Sequence, residues 1–282
     1  VDITARTIAP ALSEILGQQV VVENKPGAGG FIGTLGVVRA PPDGYTLLLG
    51  SSGSIAVGPA LDKNAPYNPT KDLTAIGPIH EAPMVLSVSP KGQIKNFADF
   101  TAKAKAANSA VSIGSAGNGS SQHLALELLA LKMQLKLTHI PYKGSGPAIN
   151  DAVGGQIDSI LDQVIASIGH IKGGTLVAIA QSGNTRSALL PGVPTFQELG
   201  AKDVDILTFT GLFGPVGMPA AVTDKLTAAL KQALATTAVK ERFTSLGVDI
   251  MNLDRTAFTQ YVAKDFATAM AIGKAANIVI NQ

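Results

Sequence analysis

One unit recurs along this 282-residue chain: a short apolar or β-branched run, a loop of Gly, Ser, Ala or Asn, and then residues at helical spacing. It is found at Val20-Val21-Val22-Glu23-Asn24 before Pro26-Gly27-Ala28-Gly29-Gly30, and at residues 45–49 before Gly50-Ser51-Ser52-Gly53-Ser54. Residues 111–114 repeat it before Ser115-Ala116-Gly117-Asn118-Gly119-Ser120-Ser121, and residues 138–142 lead the same way into Gly144. Residues 176–180 are a further expected strand. Strands alternating with helices at this spacing specify an α/β fold whose sheets are mainly parallel and covered on both faces.

The ends of the chain are helical. Asp2 reads as an N-cap for a stripe of Ile3, Ile8, Leu12 and Ile15 that stops before Gly17. Pro219 is expected at the first position of a late helix carrying Val222, Leu226 and Leu230, and another carries Phe258, Tyr261, Val262 and Phe266. Two apolar segments, 84–89 before Pro90 and 206–213 before Gly214-Pro215, read as connectors. Running side by side, they would make the residues between them an inserted unit and give the molecule a cleft and a hinge.

Composition narrows the function. The net charge is only +2, from 22 Lys and Arg against 20 Asp and Glu, which excludes nucleic-acid binding driven by bulk charge. With no Cys there are no disulfides, thiolate metal sites or Cys nucleophiles. No run of about 18 apolar residues reads as a membrane span, and none reads as a signal peptide. Because the chain opens at a helix cap, a further segment is expected upstream of Val1.

In an open parallel sheet, ligands lie beyond the carboxyl ends of the strands, where loops meet helix N-termini with free N–H groups. The Gly and Ser clusters sit at those positions, and the partial positive charge of a first helical turn suits a carboxylate or phosphate. The loop from Ser115 to Ser121 is the best candidate, although a βα loop also needs turn formers and a cap, which Ser120 or Ser121 supplies. Asp162-Gln163 closes an apolar strand on the expected cleft side, either as a cap or surface charge or as an acceptor for a ligand N–H, hydroxyl or ordered water. His123 falls in the first turn after Ser120, where packing is favoured over donation to a ligand.

An enzyme reading competes. Gly27-x-x-Gly30-x-x-Gly33 after a strand is similar to the nucleotide loop of extended short-chain dehydrogenases, which makes an NAD(P)-dependent oxidoreductase the alternative. That reading needs an acid closing the next strand, which instead ends in Gly50-Ser51, and a Tyr and Lys four apart, which Tyr142-Lys143 and Tyr261 with Lys264 both miss. No Gly-x-Ser-x-Gly elbow is present, and His80, His123, His139 and His170 lack metal-ligand spacing.

The motifs, taken in order, resemble one family. Leu12-Ser13-Glu14, Val20 to Asn24, Pro26-Gly27-Ala28-Gly29-Gly30-Phe31-Ile32-Gly33 and Pro42-Asp43-Gly44-Tyr45-Thr46-Leu47 are similar to the Bug receptors of tripartite tricarboxylate transporters. The likeness continues through Gly114 to Ser120 before His123-Leu124, Pro141-Tyr142-Lys143-Gly144, Gly155-Gln156-Ile157-Asp158, Ile171-Lys172-x-Gly174 and Leu190-Pro191-x-Val193-Pro194-Thr195. The resemblance implies a periplasmic solute-binding protein with the type II two-lobe fold, residues 1–88 and 207–282 forming one lobe and 89–206 the other. It implies no catalysis, cofactor or metal. The implied partners are a small carboxylate, held by hydroxyls, amides and waters, and membrane transporter subunits or a sensor kinase; a monomer suits the family.

Carried over by motif, the expected ligand residues are Ser51, Ser52 and Ser54 on the first lobe. On the second they are Ser115, Ala116, Gly117, Gly119, Ser120, Tyr142, Asp162, Gln163 and Ser182. Three departures stand out: the family's first strand and Pro-Pro-Gly-Gly loop belong just before Val1, Phe209 stands where Trp is common, and Gln181-Ser182 replaces Val-Thr. The last two are expected to alter selectivity.

Overall fold

A computed structural model describes residues 1–282 apart from 108–109, 203, 205, 276–277 and 279–282. The chain begins with α1 (Asp2–Leu16), α2 (Phe31–Val38), β1 (Leu48–Ser51), α3 (Gly58–Leu61), α4 (Pro69–Asp72) and β2 (Leu73–Val88). It continues through α5 (Phe97–Lys105), β3 (Val111–Ser115), α6 (Ser121–Met133), β4 (Leu137–Pro141), α7 (Ser145–Gly154), β5 (Ser159–Gln163), α8 (Val164–Lys172) and β6 (Val177–Gln181). It ends with β7 (Leu207–Pro215), α9 (Ala220–Ala235), α10 (Thr237–Leu246), β8 (Asp249–Ile250) and α11 (Arg255–Ala275). No helix among the described residues is long and apolar enough to cross a membrane.

The long strand β2 belongs to two sheets. Its residues 73–83 pair antiparallel with β7, which in turn pairs with β1, and His80 and Glu81 also meet β8. Its residues 84–88 pair antiparallel with β5 and β6, while β3 runs parallel to both β4 and β5. The two expected connectors do not pair with each other: residues 207–215 lie against 73–83, while 84–88 enter the second sheet and pair with β5 and β6. Register shifts near Gly77 and Pro78 bend β2 as it passes between the sheets.

Side chains of β2 divide between two layers, with register shifts interrupting strict alternation. Ile76, Ile79, Ala82 and Val85 pack with α1, α8, α9 and α10, whereas Met84, Leu86 and Val88 pack with α5 and α6. The opposite face of the first sheet is closed by Phe209 and Phe213 against Phe258 and Val262 of α11. Ile160 and α7 close the other face of the second. Helices thus cover both faces, as an α/β class requires.

Three local expectations are corrected. Residues 20–24 form no strand: the Val20 N–H donates to the Ser13 hydroxyl at 2.9 Å, Asn24 donates to Asp2 at 2.7 Å, and Val21 is exposed. Without that neighbour β1 pairs, among the described residues, with β7 alone, so the first sheet is antiparallel throughout its described pairs; the parallel ladders join β3, β4 and β5, with one further parallel bridge between Gln181 and Thr195. Asp2 is not the cap of α1, a position Val1 fills; it lies in the first turn, where its carboxylate suits the helix dipole and accepts from Arg6 at 3.0 Å. Pro219 is likewise the cap of α9, not its first residue.

Candidate functional site

The three parallel strands each hand over directly to a helix. β3 leads into α6, β4 into α7 and β5 into α8, so three helix N-termini gather at one edge of the second sheet. Asp162, at the end of β5, joins them. Its Oδ1 accepts from the Gln122 side chain of α6 at 2.8 Å, from the Ser145 hydroxyl of α7 at 3.0 Å and from the Gln163 N–H that caps α8 at 2.7 Å. Its Oδ2 is buried without a hydrogen-bond partner. Burial pushes the carboxyl above its ordinary range, and the bonds from Gln122, Ser145 and Gln163 only partly offset that push.

Ser120 shapes the loop in front of α6. Its hydroxyl accepts the His123 N–H at 3.2 Å as the N-cap and donates to the Gly117 carbonyl at 2.7 Å. Ser115 holds the base of the same loop, its Oγ lying 2.6 Å from His139 Nε2 and 3.0 Å from the Gly117 N–H. Behind it the His123 and His139 rings stack at 4.2 Å, and burial lowers His139 to about 4. His123 is thus a packed ring, as expected, with its Nδ1 facing the Gly119 N–H at 3.4 Å.

Across from this loop lies the turn after β1. Gly53 of the turn packs against α6: a β-carbon there would stand 3.2 Å from Ser121 N and 3.4 Å from Ser120 Cα. Gly29 comes as close from the loop before α2. A β-carbon at Gly29 would stand 2.5 Å from the Asn118 carbonyl oxygen, and its φ of +60° also favours glycine.

A cavity of about 1960 Å³ reaches these loops and continues along α1 and residues 18–30 and 43–49; Ser51, Ser54, Ala116, Gly117, Ser120, Tyr142 and Gln163 are among its lining residues. Ser52, Ser115, Gly119, Asp162 and Ser182 do not line it. Ser52 Oγ accepts the Phe209 N–H at 2.8 Å, and Ser182 Oγ accepts the Met84 N–H at 2.8 Å while donating to the Ile206 carbonyl at 2.7 Å. Tyr142 donates to Asp151 at 2.7 Å, and burial together with that carboxylate pushes the phenol up to about 12. The lining lysines Lys25, Lys143 and Lys225 are exposed, while the loops present hydroxyls and N–H groups. Gln122 and Ser145 were not singled out by the sequence; the signal available was their place in the first turn after a strand.

The glycine motif lacks the surroundings a dinucleotide needs. No strand among the described residues leads into Gly27, and Gly33 sits inside α2 against the Lys25 carbonyl.

The tripartite tricarboxylate transporter family receptor pattern matches residues 4–278. Protein BugT of Bordetella pertussis is 36% identical over 247 residues, 87% of this chain and 76% of that protein. The structure of periplasmic binding protein BugD superposes with a TM-score of 0.94 at 34% identity, covering 99% of this chain and 93% of that one. MatC from Rhodopseudomonas palustris with bound malate gives 0.92 at 30% identity, covering 96% and 93%. Rpa4515 of R. palustris with adipate gives 0.94 at 27% identity, covering 99% and 93%. The chain belongs to the receptor family of tripartite tricarboxylate transporters, the Bug and TctC solute-binding proteins.

Proposed function

We propose that this receptor captures a small aliphatic carboxylate, a dicarboxylate first, in the cavity between the turn at 51–54 and the loop at 115–121. The observation that carries the reading is the gathering of three helix N-termini beside a wall of neutral donors. Such an arrangement supplies partial positive charge and directed N–H groups without a buried cation. The malate and adipate bound by the two R. palustris proteins support the same ligand class.

In this reading Ser51, Ser54, Ala116, Gly117, Ser120, Tyr142 and Gln163 face the ligand. Ser52, Ser115, Gly119, Asp162 and Ser182 hold the loops that present them, and the unpartnered oxygen of Asp162 suits an ordered water behind the site. Residues 1–88 with 207–282 and residues 89–206 act as two lobes that close on the ligand about the strands near Met84 and Ile206. The closed monomer then presents the ligand in the periplasm to membrane transporter subunits or a sensor kinase.

A thermal-shift screen of aliphatic, amino and aromatic carboxylates tests the ligand class, because binding to the native state raises Tm. The expected result is a saturable rise with aliphatic dicarboxylates and none with NADH. No rise across the panel, together with a rise from NADH, overturns it in favour of the oxidoreductase.

A further inference from the structure

We propose that His123 and His139 are a positioning pair: stacked imidazoles in opposite tautomers that hold the loop at 115–121 in the form that receives the ligand. This rests on the reading of that loop as one wall of the ligand site. Neither ring lines the cavity; both act on it through the loop's backbone.

Proton counting fixes the tautomers. Ser115 Oγ accepts the Gly117 N–H at 3.0 Å and has a single proton to give. Two acceptors are in reach, His139 Nε2 at 2.6 Å and the Gly117 carbonyl at 3.3 Å, and that carbonyl already takes the Ser120 hydroxyl at 2.7 Å. The proton therefore goes to His139 Nε2, which places the ring's own proton on Nδ1. His123 is the reverse. Its Nδ1 accepts the Gly119 N–H at 3.4 Å, so its proton sits on Nε2, which stands 3.7 Å from Glu127 Oε1 one turn further along α6.

The two rings thus grip one loop at two points, His139 holding Gly117 through Ser115 and His123 holding Gly119 directly. A β-carbon at Gly117 would stand 2.8 Å from the Tyr142 carbonyl oxygen, so the turn has no side chain of its own there and its brace must come from below. The rings lie 4.2 Å apart and 16° from parallel, and each limits the rotation of the other. β4 packs chiefly on β3, which carries no ionisable side chain over Val111–Ser115, and on α6, which brings His123, Glu127 and, at its far end, Lys132. Burial and then His123 lower His139 to about 4, against the pull of Glu127, which keeps Nε2 an acceptor. Glu127 is itself held below its ordinary range by the His123 ring.

The experiment is nitrogen-15 NMR of the histidine rings in the ligand-free protein near neutral pH, with His139→Leu and His139→Gln alongside. His139 should carry its proton on Nδ1 and His123 on Nε2, and the His139 nitrogens should change only as pH falls toward about 4. His139→Leu, which keeps bulk and removes the acceptor, should speed Gly117 amide exchange about tenfold or more; His139→Gln, which returns an acceptor oxygen, should stay within about threefold of wild type. Calorimetric titration with malate and adipate should weaken about tenfold or more in the Leu variant and less than about threefold in the Gln variant. Like tautomers in the two rings, a folded Leu variant with wild-type Gly117 exchange, or a Gln variant as weak as the Leu variant overturns the proposal. Should the Leu variant fail to fold, the tautomers decide, opposite supporting and alike refuting. Should neither acid bind the wild type, the ligand reading fails while the tautomers and the Gly117 exchange still decide the role of the pair.

Discussion

The side-chain amide of Gln122 donates to Oδ1 of Asp162 at 2.8 Å, tying the first turn of α6 to the end of β5. With Ser145 on the same oxygen, one carboxyl fastens three helix starts. Asp162→Ala leaves Gln122 and Ser145 without their acceptor and should cost about 2–4 kcal/mol in a urea titration. Asp162→Asn keeps an acceptor oxygen and should cost about 1 kcal/mol or less at acid pH. The pH sign follows from burial raising this carboxyl above 3.8: its contribution is complete below that value and is lost as pH rises through the folded-state pKa. The Asn variant should therefore gain on the wild type as pH rises.

Ser120→Ala removes the N-cap of α6 and the donor to the Gly117 carbonyl. Unfolding should cost about 1 kcal/mol less than in the wild type. Dicarboxylate affinity, measured by calorimetry, should fall about tenfold or more, since the loop that presents the first-turn N–H groups loses its brace.

Gly29 and Gly53 permit the backbone approach that brings the two walls of the cavity together. Gly53→Val sets side-chain atoms against Ser120 and Ser121, and Gly29→Val drives a β-carbon into the Asn118 carbonyl. If the lobes close on adipate as proposed, small-angle scattering should show that adipate compacts the wild type and leaves both variants unchanged. Equal compaction in the variants would show that the walls do not meet on closure.

His80 supplies a second pH dependence of opposite sign. It is fully buried, bonded through Nε2 to Thr4 Oγ1 at 2.8 Å and edge-on to Phe243, and burial lowers it to about 3. Its neutral form contributes stability that is complete above pH 6.5 and is lost as pH falls toward 3, on the order of 4 kcal/mol across that window. Thermal unfolding of the wild type against His80→Leu should show the wild-type advantage shrinking with acidity; a constant difference would place the acid sensitivity elsewhere.

Much of the second sheet's edge was legible because its signals are local. Ser120 before an apolar helix reads as a cap, Gly17 as a helix stop with φ 64°, and Asp162-Gln163 as a polar end to an apolar strand. Residues 20–24 misled because β-branching reports the fitness of a strand and not the presence of its partner. The segment at 206–213 read correctly as extended, but its neighbour is 73–83 and not 84–89, because which strand lies alongside is not written in local composition. Ser52 and Ser54 look equivalent in sequence, yet Ser52 turns inward to Phe209 while Ser54 lines the cavity.

The central claim is that a carboxylate sits where the helix starts meet the turn at 51–54. A crystal structure of the protein grown with adipate or malate tests it most directly. The account predicts carboxylate oxygens within hydrogen-bond distance of main-chain N–H groups in residues 116–121 and of the Ser51 or Ser54 hydroxyl. A ligand bound away from those loops, or a cavity that stays empty at saturating concentrations of both acids, would contradict it.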